Sequence, residues 1–204
     1  MRRSWLLILS ILFFFVFAWA SKFSVIHNLD STILENVHSL EEPFWKYAFV
    51  PFALTGSVEF SVGGLFLFSA WFYRKRNYKK AYLILAALLI LTAIEFVMKQ
   101  MIHHPEVPYA YRGRFPHVNG FGMIEIDTNY SFPSGHALRT MLLFGVPFVW
   151  FVSRRYIFLA VAVVFFTLQL LAMNYYGFHW PSDIIGGYWL SLMALYLIYQ
   201  LGQL

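Results

Sequence analysis

The chain contains no cysteine. That excludes disulfides, thiol nucleophiles and cysteine-ligated metals, and it leaves the redox compartment undetermined. Charge is also scarce. Asp, Glu, Lys and Arg make up 12% of 204 residues, where a soluble domain carries about 25%. So few charges cannot clothe a surface in contact with water. Low-complexity tracts, Gly/Ser linkers and 30-residue repeats are all lacking, so residues 1–204 read as one membrane-embedded domain.

What is abundant is apolar: 60% hydrophobic residues and 21% aromatic ones. A helix crosses a bilayer with about 20 mostly apolar residues. Six runs approach or meet that length, at 5–20, 48–73, 81–98, 136–152, 156–173 and 184–201. The expected fold is all-α, a bundle of six transmembrane helices with lipid as its main solvent. The first run has a second reading. Arg2 and Arg3, an apolar stretch and Ala18-Trp19-Ala20 fit a signal peptide with a cleavage site. The length of the stretch, and the bulky Phe and Trp that continue to its end, favour a retained helix.

A net charge of +5 invites a nucleic-acid reading, but the placement of the basic residues argues for topology. With the N-terminus in the cytoplasm, Arg2, Arg3, Arg74, Lys75, Arg76, Lys79, Lys80, Arg154 and Arg155 fall inside, in segments without an acid. This is the positive-inside pattern. No nucleic-acid partner is expected. The polar segments 21–46, 99–135 and 174–183 then lie outside the cytoplasm, and every histidine lies in them or at their helix ends. Within 21–46, Ile33, Leu34, Val37, Leu40, Phe44 and Trp45 recur at helical spacing, which predicts an amphipathic helix in the interface.

Three constellations carry chemistry. Phe132-Pro133-Ser134-Gly135-His136 opens the fourth span. Ser134 can cap that helix, and the free amides beyond it form an anion site with His136 beside it. An ordinary capped helix with a histidine in its first turn fits equally well. Second, His179 and Asp183 stand four apart just before the last span. On a helical turn they share a face. A carboxylate that fixes one imidazole nitrogen leaves the other free to attack. An interfacial histidine beside an N-cap aspartate is the plainer alternative. Third, Lys99 ends the third span, where it can bind phosphate, snorkel or pair with Glu95 four residues earlier. All three constellations fall at one membrane depth.

These residues resemble the type 2 phosphatidic acid phosphatase superfamily of membrane lipid phosphatases. Its proline-serine-glycine-histidine motif is complete at Pro133, Ser134, Gly135 and His136. The histidine and aspartate of its third motif match at His179 and Asp183, and the lysine of its first at Lys99. The resemblance implies that His179 takes the phosphoryl group and Asp183 orients it. His136 protonates the leaving oxygen, and Lys99, Ser134 and the Gly135 amide bind phosphate. It implies no metal and no cofactor. Two motif arginines are missing from their places: Met173 and Ala172 stand where the third motif has arginine and serine, and Glu106 and Val107 where the first has arginine and proline. His104-Pro105 is the nearest local substitute for the latter.

Arg139, three residues after His136, is the leading replacement. An arginine inside a span is costly and has a reason, either a bidentate phosphate contact or pairing with Glu125 or Asp127. Arg112 and Arg114 are weaker candidates. His103 and His104, with His136, His179 and Asp183, also offer a zinc-like donor set. Glu59 reads as a buried hydrogen-bonding carboxyl in the second span, and His27, His38 and His117 as surface residues.

The expected function is hydrolysis of a phosphomonoester or diphosphate headgroup through a phosphohistidine. The partner is a membrane lipid: phosphatidic acid, phosphatidylglycerol phosphate, an isoprenoid diphosphate or a lipid A phosphate. The expected location is a bacterial inner or plasma membrane, with the active site facing away from the cytoplasm. The alternatives are a lipid-to-acceptor phosphotransferase and a non-catalytic relative that binds a phospholipid.

Overall fold

The computed structural model describes residues 4–40, 43–116, 130–151 and 155–203, and every regular element among them is helical. In chain order they are α1 (Ser4–Ala20), α2 (Ser24–His38), α3 (Phe44–Ala48), α4 (Val50–Leu54), α5 (Val58–Arg74), α6 (Tyr78–Met101), a 3-10 turn (Tyr109–Tyr111), α7 (Gly135–Phe151), α8 (Arg155–Tyr175) and α9 (Pro181–Gln203).

Helices fill all six expected runs. Among the described residues, four segments are long and apolar enough to cross a membrane: Phe44–Arg74, Tyr78–Met101, Tyr156–Tyr175 and Pro181–Gln203. α1 and α2 bend by 78° at their junction, and counting that pair as one span gives five. α1 and α7, at 17 residues each, are shorter. The chain is a multi-pass membrane protein. Its outer faces agree, with Leu67 74% and Leu89 70% exposed, an arrangement that lipid tolerates and water does not.

The second run, expected as one helix, is broken. Pro51 lies in the first turn of α4, and the chain turns again at residues 55–57. Ser57 Oγ then accepts from the Phe60 amide at 3.3 Å and caps α5. Because α5 restarts there, Glu59 sits in its first turn and is exposed. It is not the buried carboxyl that the sequence suggested.

The core joins α5, α6, α7 and α9 through Leu65, Ile84, Leu138, Leu142 and Ile198. α7 and α9 pack most closely. Gly187 makes this approach possible, since a Cβ there would collide with the Ser134 carbonyl and the Leu138 amide. Ser191 Oγ donates to the Leu138 carbonyl at 2.6 Å in the same seam. A buried polar lock ties in α8: Gln169 Nε2 donates to Thr140 Oγ1 at 2.6 Å, and Tyr188 Oη donates to Gln169 Oε1 at 2.8 Å. Hydrogen bonds of this kind fix helix register where apolar packing alone is permissive.

α2 is amphipathic, as expected, and buries Asp30, Leu34 and Val37 on one face. Val25 and Leu29 stay exposed on another. The buried face holds the helix against α8 and α9. The C-terminal end of α6 and the N-terminal ends of α7 and α9 meet at one end of the bundle, and the polar residues gather there.

Candidate active site

Two helix starts form the floor of the site. Ser134 precedes α7, and its Oγ accepts from the Ala137 amide at 3.3 Å, so it caps the helix as expected. The Ser134 amide donates to the Asp183 carbonyl at 2.9 Å, which ties the start of α7 to the start of α9. His136 leaves the first turn of α7 and stacks on Phe178, with planes 16° apart. His179 stands on the turn before α9. Its ring centroid is 5.7 Å from that of His136. The two imidazoles are near enough to border one phosphoryl group.

Asp183 lies behind His179. Its Oδ2 accepts from the Trp180 amide at 3.1 Å and stands 3.8 Å from His179 Nδ1, ion-pair range rather than a tight hydrogen bond. Burial pushes the pKa of His179 below its ordinary value. Asp183 opposes that shift and the Lys99 charge reinforces it. Burial thus favours the neutral form of this imidazole.

The cations stand on the other side. Lys99 Nζ is 3.3 Å from Glu95 Oε1, and Arg139 Nη1 is 3.3 Å from Glu95 Oε2. One carboxylate thus bridges both expected phosphate ligands. The same carboxylate lies against Gly135, where any Cβ would strike it. Only glycine allows Glu95 to approach the start of α7 so closely. Arg139 is 8% exposed, and its Nε has no hydrogen-bond partner among the described residues. Its alternative partners by sequence, Glu125 and Asp127, lie outside the described residues, and Glu95 takes that part.

The family model for the PAP2 superfamily matches residues 102–204. The chain belongs to the PAP2 superfamily. Its fold is similar to the crystal structure of a transmembrane PAP2-type phosphatidylglycerolphosphate phosphatase from Bacillus subtilis. The TM-score is 0.74 at 19% identity, over 95% of this chain and 94% of that one. No curated protein matches the chain by sequence.

The remaining candidate residues of this PAP2 chain make local contacts of their own. Arg112 Nη2 donates to Glu106 Oε2 at 2.8 Å and its Nε to the Val107 carbonyl at 2.9 Å, so it braces its own loop. Arg114 Nη1 donates to the His38 carbonyl at 2.7 Å, at the end of α2, and its guanidinium lies over Tyr175. His27 packs edge-on against Trp180 and is only half exposed. His117 lies outside the described residues. His103 and His104 diverge: His103 rests on Tyr130, while His104 is fully buried. Among the described residues, no three His, Asp or Glu side chains are grouped so as to hold a metal ion.

The sequence reading missed a buried network behind Asp183. His104 Nδ1 lies 3.0 Å from both Asp183 Oδ1 and Ser131 Oγ. Its Nε2 lies 3.5 Å from Asp30 Oδ2. Asp30 in turn accepts from the Ser182 amide at 2.9 Å and from Ser182 Oγ at 2.6 Å. Pro105 joins too, its carbonyl accepting from Trp180 Nε1 at 2.7 Å. One signal was available: Asp30 shares its helix face with Leu34 and Val37, an acid on a buried stripe.

Burial alone would lower the pKa of His104. The Asp183 and Asp30 carboxylates outweigh it and raise the pKa to about 9. Folding therefore tightens the hold on this proton. The stabilisation is present in full below the ordinary value of about 6.5 and is lost as pH rises through about 9. Detergent-solubilised protein is expected to show a falling thermal midpoint between pH 6.5 and 9.5. Asp30→Asn should flatten that fall, because it removes one of the two anions that raise the pKa. An equal fall in both proteins would sink this assignment.

Proposed function

We propose that the chain is a membrane lipid phosphatase that works through a phosphohistidine at His179 and requires no metal ion. The observation that carries this reading is the pairing of two imidazoles at two adjoining helix starts, with a buried carboxylate behind one and two cations held by Glu95. PAP2 membership supports it, as does a fold neighbour that carries the name of a phosphatidylglycerolphosphate phosphatase.

The chemistry follows from the positions. Phosphoryl transfer asks for in-line placement and positive donors around the equatorial oxygens. Lys99, Arg139, Ser134 Oγ and the Gly135 amide are those donors. Lysine and arginine supply the charge that a metal supplies elsewhere. Neutral His179 attacks phosphorus through Nε2 while Asp183 steadies its Nδ1–H. The bond from phosphorus to the lipid oxygen breaks, and His136 gives that oxygen its proton. A water then attacks the phosphohistidine and loses its proton to His136. The N–P bond breaks and inorganic phosphate leaves. Arg112 serves as a loop brace in this reading, and Arg114 as a tie between the 112–116 segment and α2.

The substrate is a lipid with a terminal phosphoryl group presented at the extracytoplasmic surface, since the basic clusters orient the opposite end of the bundle inward. The test is phosphate release by purified protein from phosphatidylglycerol phosphate, phosphatidic acid and an isoprenoid diphosphate, with His179→Ala as control and a chelator arm. Release by wild type alone, insensitive to chelator, is the expected result. Equal release by both proteins, or by neither, would overturn the reading.

A further inference from the structure

We propose that His104, clasped between Asp30 and Asp183, is the counter-charge that keeps His179 in its neutral, nucleophilic form. This deepens the phosphohistidine reading and rests on it for its catalytic meaning. His104 is a positioning residue, since it reaches His179 only through Asp183.

The argument begins with Asp183. A fully buried carboxylate beside one imidazole tends to draw a proton onto it, since an ion pair suffers less from burial than a lone anion. That would make His179 an imidazolium, with no lone pair to attack phosphorus. The structure gives Asp183 a second imidazole on its other oxygen. His104 places Nδ1 3.0 Å from Asp183 Oδ1, while His179 stands 3.8 Å from Oδ2. The shorter contact belongs to the ring that cannot react. His104 Nδ1 is hydrogen-bonded to Ser131 Oγ at 3.0 Å, and the Asp183 and Asp30 carboxylates stand within ion-pair range of Nδ1 and Nε2, at 3.0 and 3.5 Å. A buried imidazole with a carboxylate within ion-pair range of each nitrogen is favoured as a cation.

Asp30 is placed to keep that cation charged. Two hydrogen bonds from Ser182 hold its carboxylate rigidly, and α2 brings it from a distant part of the sequence. The raised pKa of His104 and the lowered pKa of His179 agree with this division. Among the described residues, the other charged or titratable groups facing His179 are His136 from α7 and Lys99 and Glu95 from α6. Burial and the Lys99 charge disfavour the imidazolium, while Asp183 and Glu95 favour it; His104 acts by weakening the pull of Asp183.

The test reads His179 directly. Full-length protein with 15N-labelled histidine is titrated by NMR in detergent, and the His179 signals are assigned by their loss in His179→Gln. His104→Gln removes the cation but keeps a hydrogen-bonding side chain. It should raise the His179 midpoint by about one pH unit or more, the size of shift that an uncompensated neighbouring charge produces. His104→Lys retains the cation and should leave the midpoint where wild type has it. A midpoint unmoved by His104→Gln, or moved equally by both variants, overturns the proposal. If the glutamine variant is not recovered folded, the lysine variant decides: a wild-type midpoint supports the proposal and a raised one overturns it. The acid limb of kcat/KM for phosphate release should rise with the NMR midpoint in His104→Gln. Wild-type protein that releases no phosphate would remove the phosphatase reading, while the NMR titration would still report on His104.

Discussion

His179→Ala is expected to abolish phosphate release, by on the order of 10^4-fold or more, because it removes the attacking imidazole itself. His136→Ala is expected to lose about 10^2- to 10^4-fold, the range for a positioned acid-base group. The two losses should differ in kind. Without His179 no covalent intermediate can form. Without His136, an aryl phosphate whose leaving group needs no proton should still phosphorylate His179, but water should then attack slowly. Acid-labile, base-stable phosphoprotein should therefore accumulate in His136→Ala and be absent from His179→Ala. Quenching in alkaline SDS after a short incubation with a 32P-labelled substrate, with loss of the label on later acid treatment, makes the measurement. The geometry motivates this split, since the rings lie 5.7 Å apart and only His179 has the Asp183 carboxylate at its Nδ1. Label retained equally by both variants would refute the assignment of roles.

Much of this site was legible because motif residues occupy helix starts, which short sequence patterns report well. Ser134 caps α7 as its position beside Gly135 suggests, and His179 and Asp183 fall four apart on a turn that is in fact helical from Pro181 onward. The pairing of Lys99 with Glu95 is also local, at i and i+4. What stayed hidden is long-range. Asp30 reaches Ser182 across 152 positions, and His104 reaches Ser131 across 27. Neither pair has a local spacing to betray it. His104-Pro105 drew notice as a substitute for a missing arginine, but the chain directs His104 to the far side of Asp183. The fold follows the same rule. Apolar runs locate the helices, whereas the break at residues 55–57 depends on Ser57 starting a new helix, which hydropathy does not register.

Arg139→Lys is expected to lower kcat/KM about 10- to 100-fold, and Arg139→Ala about 10^2- to 10^3-fold, the usual loss for one oxyanion donor. Two roles compete for this residue, and the lysine variant separates them. If Arg139 only balances Glu95, any cation suffices, and lysine should preserve both folding and turnover. If it also grips phosphate, the planar fork matters and lysine cannot reproduce it. The structure favours the second role. Nη1 is occupied by Glu95 at 3.3 Å, yet Nε is buried without a partner. A buried guanidinium nitrogen left unsatisfied is expensive, and a phosphate oxygen would satisfy it. Arg139→Lys should thus keep a thermal midpoint near wild type while turnover falls and inhibition by vanadate weakens in parallel. Arg139→Ala should lose stability as well, because Glu95 then retains only Lys99 in a site where breaking a buried pair costs about 3–5 kcal/mol. Wild-type turnover in a folded lysine variant would reduce Arg139 to a structural partner of Glu95, and Lys99 would then be left as the principal cation for the phosphoryl group.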